Sequence, residues 1–317
     1  MGGSDLYSFI LLFIIFTCPL VLRAKVYEFK GDPYHGGDLP VRYANLASYK
    51  ELPLYTLLFY PLEPGEYVPI VFIPGLDGTV PPNFYSDTLG HLASHGYVII
   101  TMDTVVPLVG NGKLHKDEFL AKRVYEEVIW LQSNLAQQVL PSLVDNVTVD
   151  WSLLGLAAHS AGGDTILQLL QNRTLGAKAV AFMEPFSFNF RKPLGYSIPA
   201  LSYGTELCEE EPNCCVPGID YRHFYDMLDC PRVLMNVTDY GHCAILNDIG
   251  WKSCRDIHFC ATNPSVDRDI YHEYVAGVMS ALFGTYLQGN RFQSNYLTAA
   301  DLIPFKMGAF FVDVNCQ

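Results

Sequence analysis

Basic residues are scarce in this chain: 20 Lys and Arg stand against 33 Asp and Glu, a formal charge of −13. No basic run occurs. That excludes a nucleic-acid partner held by clustered cations that release counterions. Cysteine is nearly missing from the first 200 residues, where Cys18 stands alone. Paired CxxC motifs at zinc-site spacing are absent, and the adjacent Cys214 and Cys215 would chelate awkwardly, so no metal site is expected. Internal repeats and low-complexity linkers are also lacking. The 317 residues, half of them hydrophobic, suffice for one large core.

An apolar stretch from Leu6 to Leu22, interrupted by Pro19 and followed by Arg23, Ala24 and Lys25, opens the chain. It is short for a membrane span and suits a secretory signal peptide over residues 1–24, cleaved after Ala24. The n-region lacks Lys and Arg and carries Asp5, which leaves an uncleaved anchoring helix as the alternative. After signal removal no membrane span is expected. Residues 25–317 then form a single secreted, extracellular domain. Its eight cysteines (Cys208, Cys214, Cys215, Cys230, Cys243, Cys254, Cys260 and Cys316) all lie beyond residue 200. An even number in that setting indicates disulfides, although eight thiols allow 105 pairings. Asn146, Asn172 and Asn236 head glycosylation sequons, with Asn236 the least accessible because it falls in an apolar run.

Apolar runs recur at 55–60, 69–73, 97–102, 152–157, 177–183, 198–203 and 233–237. They are continuous rather than alternating, as in strands buried on both faces of a parallel sheet. Helical patterns separate them, notably 116–140 and 267–287, the latter with a stripe of Ile270, Tyr274, Val278, Leu282 and Tyr286. This alternation predicts an α/β fold, a doubly wound, mostly parallel sheet flanked by helices. A Cys-rich excursion at about 204–230 departs from the sheet; it is either the roof of a binding site or a disulfide-tied surface loop.

The strongest chemical signal is Ala158-His159-Ser160-Ala161-Gly162-Gly163, an apolar strand running into a tight turn and a helix. A serine on such a nucleophile elbow needs small residues two before and two after it, and Ala158 and Gly162 provide them. A hydroxyl needs a base, and the base needs a carboxylate, in the chain order Ser, acid, His. Four histidines follow at sufficient distance: His223, His242, His258 and His272. His242 is preferred because it lies five residues beyond the run ending at Val237. His272 is expected to face solvent, and His223 and His258 to sit in Cys-rich loops. For the acid, Glu184 directly follows a run and precedes Pro185, with Asp229 and Glu206 as rivals; Asp239 is too near His242 in sequence. Backbone N–H groups of Leu76, in the turn Pro74-Gly75-Leu76-Asp77-Gly78, and of Ala161 would form an oxyanion hole. No cofactor is required.

The chain resembles plant chlorophyllases over about residues 50–290. The resemblance rests on the stretch 84–100, on Ala158 to Gly163, and then in order on Pro199-Ala200-Leu201-Ser202-Tyr203-Gly204, Cys215-Val216-Pro217-Gly218-Ile219-Asp220 and Asp239-Tyr240-Gly241-His242. It implies the α/β-hydrolase fold, with the family's nucleophile on Ser160, its histidine on His242 and its acid, an Asp before Pro, on Glu184. Departures are Ala158 for Gly, Ala161 for Arg and Glu184 for Asp. The implied activity is serine esterase cleavage of a lipophilic carboxylic ester, as that family removes the phytyl ester of chlorophyll. The other reading is a non-catalytic relative of this fold acting as an extracellular matrix or adhesion protein.

Overall fold

The computed structural model describes residues 25–78, 80–103, 117–172 and 175–316, so the expected signal segment 1–24 lies outside the described residues. Among the described residues ten strands form the sheet: β1 (Val41–Asn45), β2 (Tyr55–Pro61), β3 (Gly65–Ile73), β4 (Tyr97–Asp103), β5 (Val147–Val149), β6 (Gly155–His159), β7 (Ala179–Met183), β8 (Ala200–Thr205), β9 (Arg232–Val237) and β10 (Met307–Asp313). Their order is β1-β2-β4-β3-β6-β7-β8-β9-β10, with β5 paired to β3. From β4 through β9 every pairing is parallel; β1, β2 and β10 add antiparallel partners at the two ends.

The helices are α1 (Gly75–Gly78), α2 (Ser86–Ser94), α3 (Asp117–Asn134), α4 (Gly162–Gln171), α5 (Tyr221–Met227), α6 (Asp248–Asp256), α7 (Arg268–Tyr286) and α8 (Arg291–Thr298). Strand side chains alternate between two cores. Leu57, Ile70 and Ala157 meet α2, α7 and α8 on one face, whereas Leu58, Val71 and Ala158 meet α3 and α4 on the other. The two-residue period of a strand therefore gives continuous apolar runs, since both faces are covered. Each fully buried Leu, Ile or Val side chain contributes about 1.5–3 kcal/mol of apolar burial.

Three local expectations are corrected. The run 152–157 is not one strand: Trp151–Leu153 forms a 3-10 turn, capped by the Asp150 carboxylate accepting the Ser152 N–H, and the strand occupies Gly155–His159. On α7 the inner face is Tyr271, Val275, Val278, Met279 and Leu282, while Ile270 is exposed. A stripe at strict four-residue steps drifts about 40° per step around a helix of 3.6 residues per turn. His223 lies on α5, with the Asp220 side chain as N-cap, rather than in a loop.

The Cys-rich excursion begins at the end of β8 and folds back on the loop after β9. Leu207 N–H donates to the Tyr240 carbonyl, and Cys214 pairs with Cys260. The remaining disulfides are Cys208–Cys215, Cys230–Cys316 and Cys243–Cys254. Among the described residues no helix is long and apolar enough to cross a membrane. Asn146 is exposed in a left-handed turn and Asn172 is exposed at the end of α4, although Thr174 of its sequon lies outside the described residues. Asn236 is buried on β9 and donates through its amide to the Tyr221 hydroxyl at 2.8 Å.

Candidate active site

Parallel strands end on one edge of the sheet, and each of the residues singled out for chemistry follows such an end. Ser160 follows β6 directly and Glu184 follows β7. His242 comes five residues after β9, and Leu76 three after β3. Ligand sites of open α/β sheets occupy this carboxyl edge.

Ser160 adopts φ +54, a left-handed backbone that L residues seldom occupy. The conformation is held by the Ser160 N–H donating to the Met183 carbonyl at 3.1 Å and by the Gly163 N–H donating to the Ser160 carbonyl at 3.0 Å. One bond comes from the adjacent strand β7 and the other from the first turn of α4, so the strain is fixed by the sheet and by α4. The loop after β3 closes on this turn: a Cβ added at Gly75 would lie 3.1 Å from the Ser160 Cβ. Leu76, the next residue, is also left-handed at φ +50. Leu76 directly follows Gly75 and Ala161 directly follows Ser160, so each amide lies one residue beyond this contact.

Glu184 is left-handed too, at φ +48, with its N–H donating to the Tyr203 carbonyl at 2.6 Å. Its Oε2 accepts the Thr205 hydroxyl at 2.6 Å and stands 3.4 Å from His242 Nδ1. Both members of this pair are almost fully buried. The separation exceeds that of a formed hydrogen bond, as is common before substrate tightens such a site. The rival carboxylates lie elsewhere. Asp229 is exposed before the opposite end of β9, and Glu206 accepts the Asp239 N–H at 2.9 Å. Of the rival histidines, His272 is buried rather than facing solvent; its Nε2 lies 3.1 Å from the Ala244 and Leu246 carbonyls, where it braces the turn after His242.

One buried residue of the site was given no role from sequence. His159, at the end of β6, stacks at a tilt on His242 with ring centroids 4.5 Å apart. Burial, and then the nearby His242, push its pKa far below the usual histidine value, so it is neutral. His159, Glu184 and His242 offer nitrogen and oxygen atoms within 4.8 Å of one another. The atoms of two of the three are already engaged: the His159 nitrogens with Tyr85 and the His242 carbonyl, and the Glu184 carboxylate with Thr205. Such a set suits proton transfer better than metal ligation. The sulfurs of Cys243, Cys254 and Cys260, also clustered, are bound in disulfides and are not thiolate ligands.

Apolar groups border the serine. The segment after Glu184 is tied to it, with the Phe186 N–H donating to the Ser160 carbonyl at 3.1 Å. Phe188, 67% exposed, packs edge-on to Phe186 at 4.6 Å. Leu76 is exposed as well.

Comparison with known proteins identifies a family. The family profile described as Chlorophyllase matches residues 29–310. "Chlorophyllase-1, chloroplastic" of Citrus unshiu is 25% identical over 260 residues, covering 75% of this chain and 74% of that protein. "Chlorophyllase-2" of Arabidopsis thaliana is 25% identical over 269 residues, covering 75% and 79%. A bacterial relative, "Cutinase 2" of Thermobifida cellulosilytica, is 27% identical over 151 residues, 47% of this chain and 51% of its own. With the family profile spanning nearly the whole described fold, this chain belongs to the chlorophyllase family of α/β hydrolases and is a carboxylic ester hydrolase of that type.

Proposed function

We propose that the protein is a secreted serine esterase that cleaves lipophilic carboxylic esters through Ser160, His242 and Glu184. The observation that carries the reading is a left-handed Ser160 at the β6–α4 turn together with a buried His242–Glu184 pair 3.4 Å apart, drawn from the loops after β9 and β7 on the same edge of the sheet. His242 removes the Ser160 proton as the hydroxyl attacks the ester carbonyl. The Leu76 and Ala161 N–H groups stabilise the oxyanion, and Glu184 holds the imidazole while it is charged. The alcohol leaves with the proton from His242. Water activated by the same imidazole then releases the acid.

The half-buried ring of Phe186, the exposed ring of Phe188 and the exposed Leu76 side chain favour an ester with a long apolar tail. Chlorophyll is one such ester, suggested by the names of the relatives; Ala161 stands where that family has Arg, so the pocket differs beside the nucleophile. Secretion is supported by the apolar run from Leu6 to Leu22 and by four disulfides, which persist in oxidising compartments.

The test is hydrolysis of p-nitrophenyl butyrate, p-nitrophenyl palmitate and chlorophyll a by the purified protein and by Ser160→Ala. Loss of turnover on the order of 10⁴-fold or more in the variant is expected. Preference for the palmitate would support the apolar-tail reading, and chlorophyllide release would identify the alcohol as phytol. Equal turnover by the variant, or none by either protein on any ester, would reject the triad. N-terminal sequencing of protein secreted from a eukaryotic host should begin at Lys25.

A further inference from the structure

A continuous polar chain runs under the site. Gly75 N–H donates to the Tyr85 hydroxyl oxygen at 2.9 Å, Tyr85 is 2.9 Å from His159 Nδ1, and His159 Nε2 is 3.2 Å from the His242 carbonyl oxygen. Tyr85 and His159 are both buried, and the order of donors follows from the two ends. A carbonyl only accepts, so Nε2 carries the His159 proton. Nδ1 of this neutral ring is then an acceptor, and the Tyr85 O–H donates to it. The phenol oxygen in turn accepts from Gly75, whose N–H only donates.

Each end of this chain meets a functional segment. Gly75 immediately precedes Leu76, whose N–H faces the developing oxyanion, and the His242 carbonyl belongs to the base itself. His159 lies between them, one residue before the nucleophile. We infer that His159 and Tyr85 are positioning residues that lock the oxyanion loop and the base to one another through the residue preceding Ser160. The inference rests on the triad reading above.

The imidazole of His242 pivots on its own Cα, so a fixed carbonyl restricts where Nε2 can reach. The loop carrying Leu76 has little secondary structure of its own, a four-residue helix, and Tyr85 supplies a buried anchor for it. Misplacement of reacting groups by about 1 Å costs on the order of 10²-fold in rate. Truncating either link should therefore act on the chemical step rather than on substrate affinity.

The experiment measures kcat and KM for p-nitrophenyl butyrate, the rate of labelling by a fluorophosphonate, and Tm, in wild type, Ser160→Ala, Tyr85→Phe, His159→Gln, His159→Phe and Tyr85→Phe/His159→Phe. In labelling, the Ser160 oxygen bonds to phosphorus as fluoride leaves, and the serine proton passes to His242. Tyr85→Phe should lower kcat and the labelling rate about 10- to 100-fold, with KM within about twofold. His159→Gln keeps a donor for the His242 carbonyl and should retain more activity than His159→Phe. The double variant should be no slower than His159→Phe, because a broken chain cannot be broken again. Should His159→Phe fail to fold, Tyr85→Phe, which removes one buried oxygen, decides the matter. Labelling that is lost in Ser160→Ala yet unchanged in folded Tyr85→Phe, or effects confined to Tm or KM, would overturn the positioning role alone. Labelling that survives in Ser160→Ala would overturn the triad and this inference with it.

Discussion

Gly162 is pressed so closely against Ile73 that a Cβ built on it would stand 2.5 Å from the Ile73 carbonyl oxygen, and at the same distance from that of Pro74. Both obstacles are backbone atoms at the end of β3 and cannot rotate away. The turn bearing Ser160 and the loop bearing Leu76 therefore approach through this glycine. Gly162→Ala should drive the two apart, lowering esterase turnover by at least about tenfold and destabilising the fold by about 1–3 kcal/mol, the cost of overpacking. Ala158, on the other side of Ser160, already fits its methyl into the core, so Ala158→Gly should cost only about 0.5–1 kcal/mol and leave kcat nearly intact. Denaturant titration and ester kinetics on both variants check the asymmetry; equal kinetics for Gly162→Ala and wild type would contradict it.

Thr205 donates to the same Glu184 oxygen that faces His242. Without that bond the carboxylate is free to turn away from the imidazole. Thr205→Val keeps the shape of the side chain and should lower kcat about tenfold, less than Glu184→Ala, which removes the orienting group altogether and should cost on the order of 10³- to 10⁴-fold. Steady-state kinetics on the two variants would show that ranking, and a larger loss in Thr205→Val would overturn it.

The disulfides divide between stability and activity. Cys243–Cys254 ties the residue after His242 to α6 across a separation of 11, whereas Cys230–Cys316 joins the start of β9 to the chain end across 86. Chain-entropy arguments give about 3 kcal/mol for the first loop and about 4.5 kcal/mol for the second. Replacing Cys230 and Cys316 by Ser should lower Tm more, while replacing Cys243 and Cys254 by Ser should lower kcat more, because that bond holds the backbone of the base. Thermal melts and ester kinetics on the two double variants would show either this crossing of effects or a single order for both, which would count against it.

The central sheet was legible because β3, β4, β6, β7, β8 and β9 are buried on both faces and so read as unbroken apolar runs. The edge strand β1 carries Arg42 and Asn45 with its residues half exposed, and β10 is interrupted at Gly308 by a register shift; neither gives that signal. Ser160, Glu184, His242, Leu76 and Ala161 can be singled out in the sequence because each sits just past a strand end or within the elbow motif, where chain position alone implies convergence. His159 was visible within the same motif but carried no role, since a histidine ending a buried strand is indistinguishable from a packing residue until Tyr85 and the His242 carbonyl are placed around it. The burial of His272 was hidden for a related reason. Its partners are carbonyls of the turn at 244–246, which helix periodicity does not reveal.

Glu127 makes stability depend on pH. This carboxyl on α3 is buried, accepting the Leu54 N–H and the Thr56 hydroxyl at the start of β2, and desolvation pushes its pKa up to about 7, against the partial opposition of those bonds. A carboxyl with a raised folded-state value binds its proton more tightly when folded than when unfolded. Between about pH 4.5 and pH 7 the unfolded chain releases that proton first, so its contribution to stability declines as pH rises through this window and is constant beyond it. The slope is at most about 1.4 kcal/mol per pH unit. Glu127→Gln keeps an acceptor for Leu54 or Thr56 without an ionisable group, and should flatten the dependence, gaining on wild type as pH increases from 5 to 8. Urea denaturation of both proteins across that range measures the difference directly, and parallel curves would show that folding does not shift the Glu127 pKa.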